Sequence, residues 1–281
     1  MGETFSWLKG HGTENDFVLL PDPDGTVHGD LEPGFVRFLC DRHAGIGADG
    51  VLRVIEGSKQ TYVEDGGAWF MDYWNSDGSI GEMCGNGIRV FARYLAEAGL
   101  IGDKPVLIGT RAGIKEVSFN DDGTLTVDMG EPAFPGPAGI VVEANGHQWP
   151  AVHVDMGNPH AVAFVDDLRE PGPLVDAPSW SPLEAYPNGV NVEFVVRKGP
   201  NEVQMRVHER GSGETRSCGT GTCAVAVASA RAARQEAPVT YKVGVPGGVL
   251  SITWREDNHL EMTGPAVIHA RGEFDRGWLP S

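Results

Sequence analysis

The sequence predicts a strand-rich α/β protein made of two related halves, and three features carry that reading. Apolar, β-branched and aromatic runs punctuated by Gly, Pro, Asn and Asp recur along the chain. A Cys-Gly-(Asn or Thr)-Gly turn opens a helical segment twice, at Cys84 and at Cys218. The second of those segments is apolar on every side, which is how a helix reads when it runs through a sheet or barrel.

In chain order, the strand-like runs are "DFVLLP", "GVLRVIE" and "AWFMDYW", then "VNVEFVV", "VQMRVHE" and "GVLSITW". A short helix is expected over "PGFVRFLCDR", with Pro33 near its start and Phe35, Phe38 and Leu39 on one face. After Cys84, Ile88, Phe91, Ala92 and Leu95 recur at helical spacing, and Gly99 stops the helix. After Cys218 comes "GTCAVAVASARAARQ", the segment apolar all round. The Pro- and Gly-rich "GEPAFPGPAG" reads as a connection between halves. Each cysteine also has an Asn-initiated segment upstream, "NDFVLL" from Asn15 and "NPHAVAFV" from Asn158, as an internal duplication would leave.

A chain of 281 residues, 41% hydrophobic and 22% charged, has enough apolar content for a sizeable core. Its net charge of −17 repels phosphate backbones and argues against a nucleic-acid partner. No apolar run approaches the ~18 residues of a membrane span. The opening "MGETFSWLKG" lacks the basic-then-apolar pattern of an export signal, so a soluble, cytoplasmic protein is expected. The four cysteines, Cys40, Cys84, Cys218 and Cys223, show no C-x-x-C spacing and no clustering with the nine histidines, so neither a metal site nor a disulfide framework is expected. Cys40 and Cys223 lie inside helices and read as small core hydrophobes.

The Cys84 and Cys218 turns read differently. A thiol at a helix start sits in positive potential, which favours thiolate, and the flanking glycines let a ligand approach the backbone N–H groups. Asn86 and Thr220 are expected as the N-cap residues. Two such turns facing each other would hold one carboxylate by a double set of donors and present sulfurs to opposite faces of the adjacent carbon. That suits removal of an α-proton on one face and delivery of a proton on the other, one cysteine as thiolate and one as thiol. No motif calls for a cofactor. A thiol phosphatase would need five residues between Cys84 and Arg89, where the chain has four. "GSGET" lacks the Lys-Ser/Thr of a nucleotide-binding loop. An amino-acid-binding module would leave the two activated thiols without purpose.

In "KGHGTENDF", "AGIGADGVL", "NSDGSIGEMCGNG", "VDMGNPHAVAFVDDL", "GVNVEF" and "VHERGSGETRSCGTGT", in that order, the chain resembles the diaminopimelate epimerases, cofactor-independent enzymes of lysine and peptidoglycan precursor biosynthesis. The resemblance implies interconversion of LL- and meso-2,6-diaminopimelate, with Cys84 and Cys218 as the two acid/base groups. It implies that Gly85, Asn86, Gly219 and Thr220 hold the reacting carboxylate through backbone N–H groups. Asn15, Asn75, Asn158, Asn191, Glu209 and Arg210 would bind the other amino and carboxylate groups, and His160 with Glu209 would adjust the cysteine pKa values. The implied fold is two pseudo-symmetric halves, each a curved mixed β-sheet or barrel wrapped around a central helix, with the active site in the cleft between them. The expected division is residues 1–120 plus 266–281, carrying Cys84, and 121–265, carrying Cys218. A homodimer is implied, although Ala270 stands where the family carries an aromatic at the dimer contact. Gly50 stands where the family often has Gln, and Glu14 where many members have Gly.

Overall fold

Among the described residues, 4–102, 105–136 and 139–278 of a computed structural model, three α-helices interrupt a succession of strands: α1 (Pro33–Cys40), α2 (Gly85–Glu97) and α3 (Gly219–Ala232). The expected strand runs all form strands, namely Asn15–Pro21, Gly50–Glu56, Trp69–Asn75, Asn191–Gly199, Glu202–Glu209 and Gly248–Trp254. The chain divides into two units, Met1–Val127 with Pro265–Ser281, and Asp128–Gly264. The stretch "GEPAFPGPAG" therefore begins inside the second unit, just past the crossing at Val127.

In the first unit the strands neighbour one another in the order Val267–Asp275, Thr4–Gly12, Asn15–Pro21, Gly50–Glu56, Trp69–Asn75, Val106–Thr110, Gly113–Phe119 and Leu125–Asp128. In the second the order is Val141–Ala144, His147–Asp155, Pro159–Phe164, Asn191–Gly199, Glu202–Glu209, Val239–Val245, Gly248–Trp254 and Leu260–Gly264. Starting from Thr4–Gly12 and from His147–Asp155, the pairings run antiparallel, parallel, antiparallel, parallel, antiparallel, antiparallel in both units. The duplication inferred from the cysteine turns is thus a duplication of topology.

Each sheet curls around one helix. α2 packs against every strand of the first unit's series from Val267–Asp275 to Gly113–Phe119. Ile88, Phe91, Ala92 and Leu95 are all fully buried, the face the periodicity requires. Gly99, at φ 67°, ends the helix, with its N–H on Ala96 O at 3.0 Å and Leu100 N–H on Leu95 O at 2.9 Å. α3 packs against six strands of the second unit, and Gly219 with Gly221 through Ala230 are buried. That coverage explains a buried stretch made of Gly, Ala, Val, Ser, Thr and Cys: side chains larger than Val would hold the surrounding strands away.

The outer faces are covered too. In the first unit α1 lies over Val18, Leu20 and Val51, with Val36, Leu39 and Cys40 buried. Phe35 and Phe38, expected on one face with Leu39, are only partly covered; they pack at the rim, where Phe5 and Phe274 meet them edge-on. In the second unit Ala161, Ala163, Val192 and Phe194 back onto Ile140, Val142, Leu174 and Tyr186.

Because α2 is enclosed by its own sheet, truncating it leaves a cavity that the strands cannot close. Phe91→Ala is expected to cost about 3–5 kcal/mol, read as a lower urea midpoint at unchanged m-value. A loss under ~1 kcal/mol would mean that the helix is not sheathed as described.

Candidate active site

Both helices begin on a cysteine. Cys84 (φ −137°, ψ 118°) and Cys218 (φ −118°, ψ 117°) are the N-cap residues, and each Sγ accepts from the N–H three residues on, Gly87 or Gly221, at 3.4 Å. This corrects the expectation for Asn86 and Thr220, which occupy the second position of their helices. The sulfur itself takes the place a capping hydroxyl would fill. Gly85 and Asn86, and likewise Gly219 and Thr220, supply first-turn N–H groups for which a helix has no acceptor of its own.

Asn86 is fully buried and its amide is used sideways. Its Nδ2 donates to Asn15 Oδ1 at 3.2 Å, and its Oδ1 accepts from Arg89 Nη2 at 2.9 Å. Arg89, also fully buried, donates through Nη1 to Gly85 O at 3.1 Å. It braces the helix mouth from behind, a role its place in the sequence did not suggest. Asn15 Oδ1 also faces Cys84 Sγ at 3.7 Å, while its Nδ2 donates to Asp49 Oδ2 at 2.8 Å. Asp49 in turn accepts from Arg42 Nη2 at 2.7 Å, and Arg42 and Lys9 both bind Asp16. Burial pushes the Asp16 carboxyl up, but the hydrogen bonds and charges of Arg42 and Lys9 outweigh it and hold Asp16 at about 2. Burial pushes Asp49 upward, and the Asn15 amide opposes it. Asn15 is thereby held with its oxygen toward the thiol.

Asn75 closes the strand beside Gly50 and sits in a local turn, its Oδ1 accepting from Tyr73 Oη at 2.7 Å and its Nδ2 donating to Ser79 Oγ at 3.0 Å. A Cβ on Gly50 would meet Trp74 O at 2.6 Å and Tyr73 Cε2 at 2.9 Å. The room a larger residue would need at position 50 is thus filled by the Tyr73 ring.

The surroundings of Cys218 use the same frame. His160 pairs in parallel register with Asn191, as Phe17 does with Gly50. Asn158 precedes its strand just as Asn15 opens the other. Asn191 donates through Nδ2 to Pro159 O at 3.1 Å and accepts the Arg210 N–H through Oδ1 at 2.9 Å. Glu209 accepts from Thr215 Oγ1. The exposed Arg210 reaches Asn188 O at 3.3 Å. Thr220 Oγ1 stands 3.6 Å from Cys218 Sγ.

His160 is fully buried, and its Nδ1 meets Glu193 Oε1 at 2.6 Å while its Nε2 meets Asn158 Oδ1 at 3.0 Å. Glu193 was not singled out from the sequence, although it lies in the "GVNVEF" stretch. Burial pushes the Glu193 carboxyl up against the opposing pull of His160. Burial also pushes the Cys218 thiol well above its ordinary value, with the charges of Glu209 and Glu193 adding to the shift. The hydroxyl of Thr220 and the N–H of Gly221 pull the other way without prevailing. At Cys218 the thiolate-favouring field expected of a helix N-terminus is thus opposed by desolvation and by two carboxylates. Cys40, buried elsewhere, is pushed up to about 12 by burial and by Asp16 and Asp49.

No group of His, Cys, Asp and Glu among the described residues has the geometry to hold a metal ion. No helix among them is long and apolar enough to cross a membrane.

A duplicated α+β fold, with a cysteine-capped helix inside each sheet, defines the structural class of the chain. Solved structures share it. A PhzF-family phenazine biosynthesis protein of Bacillus anthracis superposes with a TM-score of 0.73 at 18% identity, covering 97% of this chain and 99% of that one. A hydroxyproline epimerase of Agrobacterium vitis gives 0.68 at 14%, covering 98% and 94%. At such identities the likeness concerns the fold alone. The family model of diaminopimelate epimerase matches residues 7–135 and 152–269. The diaminopimelate epimerase of Streptomyces coelicolor is 54% identical, covering 99% of this chain and 98% of its own. Those of Thermobifida fusca (46%; 95% and 97%) and Corynebacterium glutamicum (45%; 97% and 99%) are similar over nearly their full lengths. The chain belongs to the diaminopimelate epimerase family of amino-acid isomerases.

The ion pairs that fix Asn15 carry a pH signature. Because the Asp16 carboxyl lies below its unfolded value of ~3.9, its stabilisation is complete above that value and is lost as pH falls toward about 2. Asp16→Asn is expected to lower stability by about 2 kcal/mol near neutrality, with variant and parent converging on acidification in urea titrations. A difference independent of pH would contradict this assignment.

Proposed function

We propose that the protein interconverts LL- and meso-2,6-diaminopimelate, with Cys84 and Cys218 as the two acid/base groups of one α-proton transfer. One observation carries this reading: each sheet wraps a helix whose N-cap is a cysteine, and the same backbone frame recurs around both. A thiolate takes the α-proton from one face of the carbon, and the other cysteine, as thiol, delivers its proton to the opposite face. Running the reaction in reverse exchanges the two roles. The first-turn N–H groups of Gly85, Asn86, Gly219 and Thr220 hold the α-carboxylate and stabilise the charge that spreads onto it in the transition state. No cofactor is called for, because backbone donors provide the electron-withdrawing environment.

In this reading Arg210 offers a bidentate fork to the distal carboxylate, and Glu209 a counter-charge to an ammonium. Asn15, Asn75, Asn158 and Asn191 bind the remaining donors and acceptors. His160, held by Glu193 and Asn158, and Glu209 adjust the proton affinity of Cys218. The product enters lysine and peptidoglycan precursor biosynthesis in the cytoplasm, and the working form is a homodimer whose contact near Ala270 lacks the family aromatic.

Epimerisation of LL- or meso-diaminopimelate in D₂O should incorporate deuterium at the α-carbon without added cofactor. Cys84→Ala and Cys218→Ala should each lower turnover by at least ~10³-fold, while Cys40→Ala and Cys223→Ala stay within a few-fold of the parent. Robust epimerisation by Cys218→Ala would remove the two-thiol mechanism.

A further inference from the structure

The duplicated frame makes the two half-sites comparable position by position, and one difference stands out. Phe17 and His160 are each the third residue from the Asn that opens the segment, and Leu52 and Glu193 each lie two residues beyond the strand partner, Gly50 or Asn191. Beneath the first turn of α2, a Cβ on Gly87 would meet Leu52 Cδ2 at 3.3 Å and Phe17 Cζ at 3.4 Å. Beneath the first turn of α3, a Cβ on Gly221 would meet Glu193 Oε1 at 2.8 Å and Cys218 Sγ at 3.3 Å. The floor under Cys84 is hydrocarbon. The floor under Cys218 is a buried carboxyl on a buried imidazole.

Such a pair is costly unless something depends on it. Glu193 and His160 are both fully inside, and Glu193 Oε2 has no hydrogen-bond partner among the described residues. Leu and Phe fill the equivalent volume in the first unit, so packing alone does not demand an ionisable couple. As the Asn158 amide is oriented, both imidazole nitrogens face oxygens.

We propose that Glu193 is a positioning residue of the second half-site: seated against His160 beneath the first turn of α3, it makes Cys218 the proton-bearing member of the two thiols. The proposal rests on the two-thiol reading and adds an asymmetry to it. Several groups bear on this site. Glu209 and Glu193 act on Cys218, and Thr220 and the Gly221 N–H oppose them. Glu193 also feels Glu209 and His160 and acts on Tyr186, whose hydroxyl burial pushes up. His153, lowered by burial, feels His160. The Glu193 carboxylate acts on Cys218 as a negative charge, where Leu52 and Phe17 offer Cys84 none, so the Cys218 sulfur holds its own proton to higher pH.

The test reads thiolate directly and needs no turnover. Iodoacetamide alkylation of the intact protein is followed from pH 6 to 10, with the Cys84 and Cys218 peptides resolved by mass spectrometry. In the parent, Cys218 should reach half-maximal rate at a higher pH than Cys84. In Glu193→Gln, which keeps the shape and a hydrogen bond to His160, the Cys218 midpoint should fall by about one pH unit while that of Cys84 stays. Glu193→Asp should bring it back toward the parent. A Cys218 midpoint at or below that of Cys84 in the parent overturns the proposal even if no variant folds. So does a Glu193→Gln profile that is unchanged, or one in which both thiols move together. Loss of the two-thiol mechanism would appear instead in the turnover of Cys84→Ala and Cys218→Ala, leaving these profiles as they are.

Discussion

The N-terminus of an enclosed helix is the constraint on which the site depends. α2 and α3 are each surrounded by their own sheet, so the polar groups of the first turn can be met only from the mouth. A Ser, Thr, Asp or Asn at the N-cap would answer that need better than sulfur does. The chain instead uses a cysteine in both places, each accepting from the glycine N–H three residues on. Structure alone does not favour that choice, whereas the proposed proton transfer next to a bound carboxylate does.

Around that shared device the two units diverge in ways that follow from register. Where the first has Gly50, with Tyr73 filling the space, the second has Asn191, which ties the Arg210 N–H to the sheet. Where the first surrounds its leading Asn with Asp49, Asp16, Arg42 and Lys9, the second fixes Asn158 through His160. Arg89, which braces the mouth of α2, corresponds in position to Cys223, an apolar member of α3. An inherited frame thus carries two chemically distinct settings for the same pair of atoms.

Much of this was legible in the sequence, and the gaps have physical causes. The strands announced themselves by composition, α2 by periodicity and α3 by having none. The cap was misassigned because Asn86 and Thr220 are better capping residues than cysteine, and only geometry shows a sulfur in the capping position. In α1, Phe35, Phe38 and Leu39 share a face as periodicity requires, yet only Leu39 of the three is fully covered, because the space above the sheet suits the smaller Val36. Glu193 was missed for a related reason. In "VNVEFVV" it alternates with Val192 and Phe194, which reads as a solvent-facing position on a one-sided strand. With α3 on one side and the Ile140–Tyr186 cluster on the other, that strand has no solvent face. A charge inside a strand buried on both sides is the signal that alternation conceals.

Net charge and local charge also part company here. A protein at −17 should repel an anion at long range, yet the sequence motifs point to carboxylate binding. The helix mouths resolve the conflict because their positive potential comes from backbone N–H groups at contact distance, which do not enter the count of side chains. Screening removes most of the repulsion beyond ~8 Å at physiological ionic strength, so in the proposed reading the short-range dipoles govern the final approach of a carboxylate. The acidic groups nearest Asn15 are already committed, Asp16 and Asp49 to Arg42 and Lys9. Near Cys218 the carboxyls of Glu193 and Glu209 engage His160 and Thr215, and their charges add to burial in pushing the thiol up.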